Sequence, residues 1–231
     1  QNRFPEKGVI ITTVVTSPLV PKMAQKNGLD LIEVLTGFKW IRQAALHYED
    51  EVDGKFVFGM EESHGYLMGS HSGDKDGLWA SMAFAEMVAT LKKSNLTAID
   101  RLNQIHKQYG PHLDTLRTQT YTGTEGLEKI QQIMRKLRNS PPRSVAGQTV
   151  VKITDYLKNT IVCADATKNL QGPGLPKSNV ISLELSDNTR ITARPSGTEP
   201  KIKYYFNLHG KNSSLLQERL VEIQEEFLSD Q

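Results

Sequence analysis

The sequence predicts an α/β mixed-sheet domain followed by an α+β domain. In the first half, short β-branched segments alternate with helical patterns, the signature of strands joined by crossover helices. In the second half, several strand patterns follow one another between two helical segments. Between the halves stands Gly110-Pro111, a helix stop followed by a residue that cannot continue a helix. We set the domains at 1–112 and 113–231.

Gly8 to Val15 is almost wholly apolar or Thr, which suits a strand covered on both faces. Thr16-Ser17-Pro18 ends it, and Pro21 to Gly28 reads as a short helix closed by glycine. Leu29 to Leu35 is a second strand. After the Thr36-Gly37 turn, Phe38, Ile41 and Ala45 fall at helical spacing, and Lys55 to Gly59 is a third strand. A polar, glycine-rich stretch runs from Gly59 to Gly77. In the helix that follows, Leu78, Met82, Ala85 and Val88 share one face. Thr97 is the expected N-cap of a helix carrying Ile99, Leu102 and Ile105.

The second half opens with a helix from about Thr124 to Arg138, with Leu127, Ile130, Met134 and Leu137 at helical spacing; Asn139-Ser140-Pro141-Pro142 breaks it. Strands are expected at Thr149–Asp155, Thr160–Ala164, Val180–Leu185, Arg190–Ala193 and Lys201–Asn207. In the last, Ile202, Tyr204 and Phe206 alternate with Lys201, Lys203 and Tyr205, predicting one core face and one polar face. Leu216, Leu220, Ile223 and Phe227 mark a final helix, and Ser214 with Gln217 reads as its capping box.

Composition narrows the function. With 28 basic and 26 acidic residues the net charge is +2, so no basic field points to nucleic acid. The longest apolar runs fall far short of the roughly 20 residues needed to span a bilayer, so we expect no membrane partner. The single cysteine, Cys163, excludes an intrachain disulfide and points to a reducing cytoplasm. The chain starts without Met, directly ahead of a strand, from which we expect a piece of a longer protein.

Three loops carry candidate chemistry. Gly59-Met60-Glu61-Glu62-Ser63-His64-Gly65 follows a strand, where ligands of open α/β sheets bind. Its carboxylates and hydroxyl suit sugar hydroxyls, which both donate and accept; a solvated acidic loop is the plain alternative. His71-Ser72-Gly73-Asp74-Lys75-Asp76-Gly77 sits at a helix entry. There Lys75 could meet an anion, while the aspartates serve the helix N-terminus. No metal-ligand spacing is present in either loop. Arg194-Pro195-Ser196-Gly197-Thr198-Glu199-Pro200-Lys201 is a stiff turn combining a guanidinium, hydroxyls and glycine amides, with Lys203 nearby. That is phosphate-binding chemistry without the P-loop pattern.

Together with Thr36-Gly37-Phe38-Lys39-Trp40-Ile41 and Lys75-Asp76-Gly77-Leu78-Trp79, these loops resemble, in order and spacing, the phosphohexomutase superfamily, specifically phosphoglucomutase and phosphomannomutase. The resemblance covers essentially the whole chain. It implies the third, sugar-recognising domain, lacking its opening helix, and the fourth, phosphate-binding domain with a TATA-binding-protein-like fold. By the same resemblance, Thr36, Gly37, Glu61, Ser63 and His64 would line the sugar site and Lys75 would lie near the ligand. Arg194, Ser196, Gly197 and Thr198, with Lys203, would bind the non-reacting phosphate of a phosphohexose substrate. The implied reaction interconverts glucose 1-phosphate and glucose 6-phosphate through a phosphoserine and glucose 1,6-bisphosphate. The family's phosphoserine loop and its Mg2+ loop are absent, so both are expected in the N-terminal domains of a longer protein, and this chain alone is expected to be inactive. The Glu-Glu-Ser loop favours glucose over glucosamine and leaves mannose open. A non-catalytic sugar-phosphate-binding module is the alternative.

Overall fold

The β-branched run at the start of the chain becomes β1 (Gly8–Thr13), the strand around which the first unit is assembled. The computed structural model describes residues 4–69, 71–164, 172–197 and 199–230. They divide into two compact units, one ending at Gly110 and the other beginning at Pro111. The limit lies two residues before the expected one, because His112 already pairs within the second unit.

In the first unit β1 pairs in parallel with both β2 (Asp30–Val34) and β3 (Lys55–Glu61). A short β4 (Gly65–Leu67) folds back antiparallel on β3, giving the order β2-β1-β3-β4. Helix α1 (Leu19–Lys26) joins β1 to β2, and α2 (Phe38–Val52) joins β2 to β3. The core is built between the sheet and α2: Val9, Ile11, Val34, Phe56 and Leu67 meet Phe38, Ile41, Ala45 and Tyr48. Tyr48 donates to Asp30 Oδ2 at 2.5 Å. Its burial, with that carboxylate, pushes the phenol up to about 12.

Helices α3 (Gly77–Lys92) and α4 (Ala98–Tyr109) follow. Thr97 caps α4 as expected, in a reciprocal capping box with Asp100. On α3, the shared face read from the sequence holds two exposed residues, Leu78 at 87% and Met82 at 61%. Ile99 and Leu102 of α4 are exposed as well. Helix α3 is apolar nearly all round, so its periodicity does not single out a buried face. Trp79, Ala80, Ser81, Ala83, Phe84, Ala85 and Met87 of α3 line, with Phe58 and Tyr66, a mainly apolar cavity of about 650 Å³.

The second unit is an antiparallel sheet with two helices. Its strands run in the order β5 (His112–Thr120), β11 (Lys201–His209), β10 (Arg190–Pro195), β9 (Ile181–Leu185), β7 (Gln148–Asp155) and β6 (Ser144–Val145), and β8 (Thr160–Cys163) also pairs with β7. Helices α5 (Gly123–Asn139) and α6 (Ser213–Ser229) share one core with β11. Ile130, Ile133, Met134 and Leu137 of α5 and Leu216, Leu220, Ile223 and Phe227 of α6 pack with Ile202, Tyr204, Phe206 and Leu208. Leu127, at the same helical spacing, stays outside this core, 48% exposed. The mixed-sheet α/β and α+β architectures agree with those expected.

Three features of this unit differ from the sequence reading. Strand β5 was not anticipated: its residues, HLDTLRTQT, are too polar to show a core face, yet all nine pair with β11. Tyr205, expected on the polar face, is 3% exposed, and Asn207, two residues on, is 2% exposed. Asn207 is satisfied there, donating to Asp114 Oδ1 at 2.8 Å and accepting from Arg190 Nε at 3.3 Å. The cap of α6 is Asn212, whose side chain accepts from Ser214 N at 2.8 Å. Ser214 therefore lies inside the helix, and no Ser214–Gln217 box forms.

A buried ion pair locks α5 to the sheet. Arg138 Nε donates to both oxygens of Asp155 at 3.2 Å, and Asp155 also accepts from the Leu157 and Lys158 amides. Both side chains are under 10% exposed, so removing the cation strands a buried carboxylate. Arg138→Ala is expected to lower stability by roughly 3 kcal/mol, as broken buried pairs do. Urea unfolding of the chain checks this, and a loss under about 1 kcal/mol would show the pair to be solvent-relaxed.

Candidate functional site

Because β1, β2 and β3 are parallel, the loops that follow them emerge at one edge of the first sheet. Glu61, the last residue of β3, is the point where these loops are joined. It is 8% exposed, and both carboxylate oxygens accept protein donors: Oε2 from the Gly37 amide at 3.2 Å and Oε1 from Lys75 Nζ at 3.2 Å. The structure thus brings together Thr36-Gly37, Glu61 and Lys75, which lie up to 39 residues apart in the sequence (75 − 36). Sequence reasoning assigned Glu61 to sugar hydroxyls; here its two bonds are internal. A carboxylate has about four lone-pair directions, so acceptor capacity remains for a ligand.

Glycines make this junction feasible. Gly37 has φ +118°, outside the range of side-chain-bearing residues, and starts α2 with its amide turned to Glu61. A Cβ on Gly65 would lie 2.5 Å from Glu61 Cγ and 3.0 Å from Phe38 Cδ2, so only glycine leaves room for the Glu61 side chain. The intervening turn Glu62-Ser63-His64 is a three-residue hairpin loop closed by His64 in the left-handed region, φ 58°. Ser63 and His64 are exposed on it. Glu62 Oε1 accepts from the Ser17 amide at 3.1 Å, a contact between loops that sequence reasoning missed. The acidic pair Glu61-Glu62 was the only available signal.

Lys75 is held by a self-bonded loop. Its amide donates to Asp74 Oδ1 at 2.7 Å, and Ser72 Oγ donates to the Asp74 carbonyl at 2.9 Å. Asp76 is the N-cap of α3, accepting from the Trp79 amide at 2.9 Å and pairing with His71 Nε2 at 2.9 Å. The Trp79 amide, then His71, hold its carboxyl below the usual 3.8. No three His, Cys, Asp or Glu side chains gather for a metal among the described residues. The apolar cavity at Phe58, Tyr66 and α3 has none of these polar groups in its lining, and polyhydroxylated ligands do not suit it.

In the second unit β10 and β11 form a hairpin closed by Ser196 N donating to the Lys201 carbonyl at 2.8 Å. Register sets Arg194 directly opposite Lys203. Neither makes a side-chain hydrogen bond or ion pair among the described residues, whereas Lys201 is paired with Glu199 at 2.8 Å. Two cations facing each other across strands repel, so the pair favours an anion between or above them. Gly197 is exposed at the tip; Thr198 lies outside the described residues.

Residues 1–108 match the family model described as phosphoglucomutase/phosphomannomutase, alpha/beta/alpha domain III. Among curated proteins, phosphoglucomutase of Staphylococcus aureus strain MSSA476 is 38% identical over 204 residues, which cover 88% of this chain and 36% of the relative. That of strain USA300 is 39% identical over the same shares. The chain therefore spans about a third of the length of the curated relatives it matches. Of solved structures, the open form of the phosphoglucomutase-type phosphoprotein pp63/parafusin from Paramecium superposes with a TM-score of 0.62 at 21% identity, covering 96% of this chain and 37% of that one; this likeness shows the fold. Residues 1–108 thus belong to domain III of the phosphoglucomutase/phosphomannomutase family, and the sequence likeness to phosphoglucomutases runs on into the second unit.

Gly65→Ala is expected to push Glu61 off Gly37 and Lys75. Amide exchange at Gly37 reports it: protection should fall in the variant, and unchanged protection would show that the carboxylate has another resting place.

Proposed function

We propose that this chain supplies the sugar and phosphate recognition of a phosphoglucomutase that interconverts glucose 1-phosphate and glucose 6-phosphate. The observation that carries the reading is the Arg194–Lys203 cross-strand pair, two cations with no side-chain partner among the described residues, beside the Ser196-Gly197 turn. A phosphate group answers both the charge and the amide donors. In the first unit Ser63, His64 and the remaining acceptor sites of Glu61 offer the donor and acceptor mixture that sugar hydroxyls need. Lys75, half-exposed and tethered to Glu61, can share its ammonium with a ligand oxygen. The Staphylococcus relatives are phosphoglucomutases, which supports glucose as the hexose.

The phosphoryl donor of the proposed reaction is a serine outside these residues, and glucose 1,6-bisphosphate is the intermediate passed between the two monophosphates. Mg2+, which would offset charge on the transferring phosphoryl group, has no ligand cluster among the described residues and belongs to the same outside portion. This chain's own work is to bind and orient. No helix among the described residues is long and apolar enough to cross a membrane, and the site chemistry is that of a water-borne ligand.

Titration of the chain with glucose 6-phosphate, with glucose and inorganic phosphate as controls, tests the reading. The sugar phosphate should bind more tightly than either control, and Arg194→Ala should remove roughly 1.5–3 kcal/mol of binding, the range for a charge-assisted bond. An unchanged affinity in the variant would remove the phosphate site. A coupled mutase assay on the chain alone should show no turnover, and any turnover would refute the division of labour.

A further inference from the structure

The order β2-β1-β3 places the topological switch point between β1 and β3, where the chain leaves β1 toward one side of the sheet and β3 lies on the other. A hydrogen bond crosses that point: Ser17 N donates to Glu62 Oε1 at 3.1 Å, between residues 45 apart. The two loops it joins are otherwise built differently. The turn after β1 is rigid. Thr12, Thr13 and Thr16 are buried, Thr16 Oγ1 accepts from the Thr13 amide at 3.2 Å and bonds the Thr13 hydroxyl at 3.0 Å, and the Thr16 amide closes on the Thr13 carbonyl at 2.9 Å. Ser17 Oγ in turn accepts from the Leu19 amide at the start of α1. The hairpin turn 62–64 carries Ser63 and His64 exposed between Glu61 and Gly65, with His64 in the left-handed region.

We propose that Glu62 is a positioning residue of the sugar site. Its carboxylate anchors the Ser63-His64 turn to the rigid turn after β1 and so sets where the Ser63 hydroxyl and His64 imidazole meet ligand hydroxyls. The inference rests on the sugar-phosphate reading above. Glu61 ends β3 and Glu62 opens the turn, and their carboxylates go to different loops: Glu61 takes the loop after β2 and Glu62 the loop after β1. A glutamine keeps an acceptor oxygen at the same reach; an alanine does not.

The test uses the chain with Glu62→Ala and Glu62→Gln, reading Ser17 amide exchange and affinities for glucose 6-phosphate and inorganic phosphate, with a thermal melt to confirm folding. In Glu62→Ala, Ser17 exchange should rise and glucose 6-phosphate affinity should fall, each about tenfold, the size of one charge-assisted hydrogen bond. Affinity for inorganic phosphate should not move, because the Arg194 hairpin is untouched. Glu62→Gln should restore both readings to near wild type. Unchanged Ser17 exchange in Glu62→Ala would overturn the anchor. Faster Ser17 exchange with unchanged sugar-phosphate affinity would reduce Glu62 to a loop staple and overturn its positioning role, and so would an equal loss for inorganic phosphate. A wild-type chain that binds glucose 6-phosphate no better than phosphate would fail before any variant is made; that outcome removes the sugar reading and this role with it.

Discussion

Parallel pairing on both sides of β1 is the constraint from which the first unit's chemistry follows. It forces the ends of β1, β2 and β3 to one edge of the sheet, so loops from three distant parts of the chain become neighbours. A carboxylate placed at the end of β3 then has donors within reach that no local sequence could provide. Burying Glu61 would be unfavourable if it were alone; a backbone amide from the loop after β2 and the ammonium of Lys75 offset that cost. The same bonds fix the loops, so the group that must be compensated is also the group that organises the site.

The second unit reaches its chemistry by a different route. An antiparallel hairpin offers no convergent strand ends, but its register is strict. With Ile202, Tyr204 and Phe206 committed to the helical core, Lys203 must point away from it, and pairing with β10 brings Arg194 opposite. The repulsion between them is tolerated because the apolar face beneath holds the strands together. On the proposed reading, an anion between the two cations would relieve that repulsion.

Local rules and tertiary context separate most clearly in the helices. In α5 and α6 most of the apolar stripe read from the sequence is the buried stripe, because the opposite face is charged and only one orientation buries the leucines and isoleucines. Helix α3 has apolar residues on all sides, so the same rule names a face that turns out to be exposed. For α6 the helix was legible and its cap was not. Asn212, Ser213 and Ser214 are all acceptable caps, and only the extended backbone at Asn212 decided among them.

From the sequence alone came the order of α/β and α+β halves, each of the six described helices and most of the core strands, and the three loops with their residue chemistry. These are written in periodicity, turn residues and side-chain type, which act over a few positions. Tertiary structure decided what depends on partners far along the chain. Strand β5 exists because β11 offers it a full ladder of backbone bonds. Asn207 is buried because Asp114 and Arg190 meet it. Glu61 and Glu62, adjacent and chemically identical, have different tasks because Gly37 and Lys75 stand beside one and Ser17 beside the other. A carboxylate's neighbours are set by how strands pair, and pairing is a property of the whole sheet that no window of sequence contains.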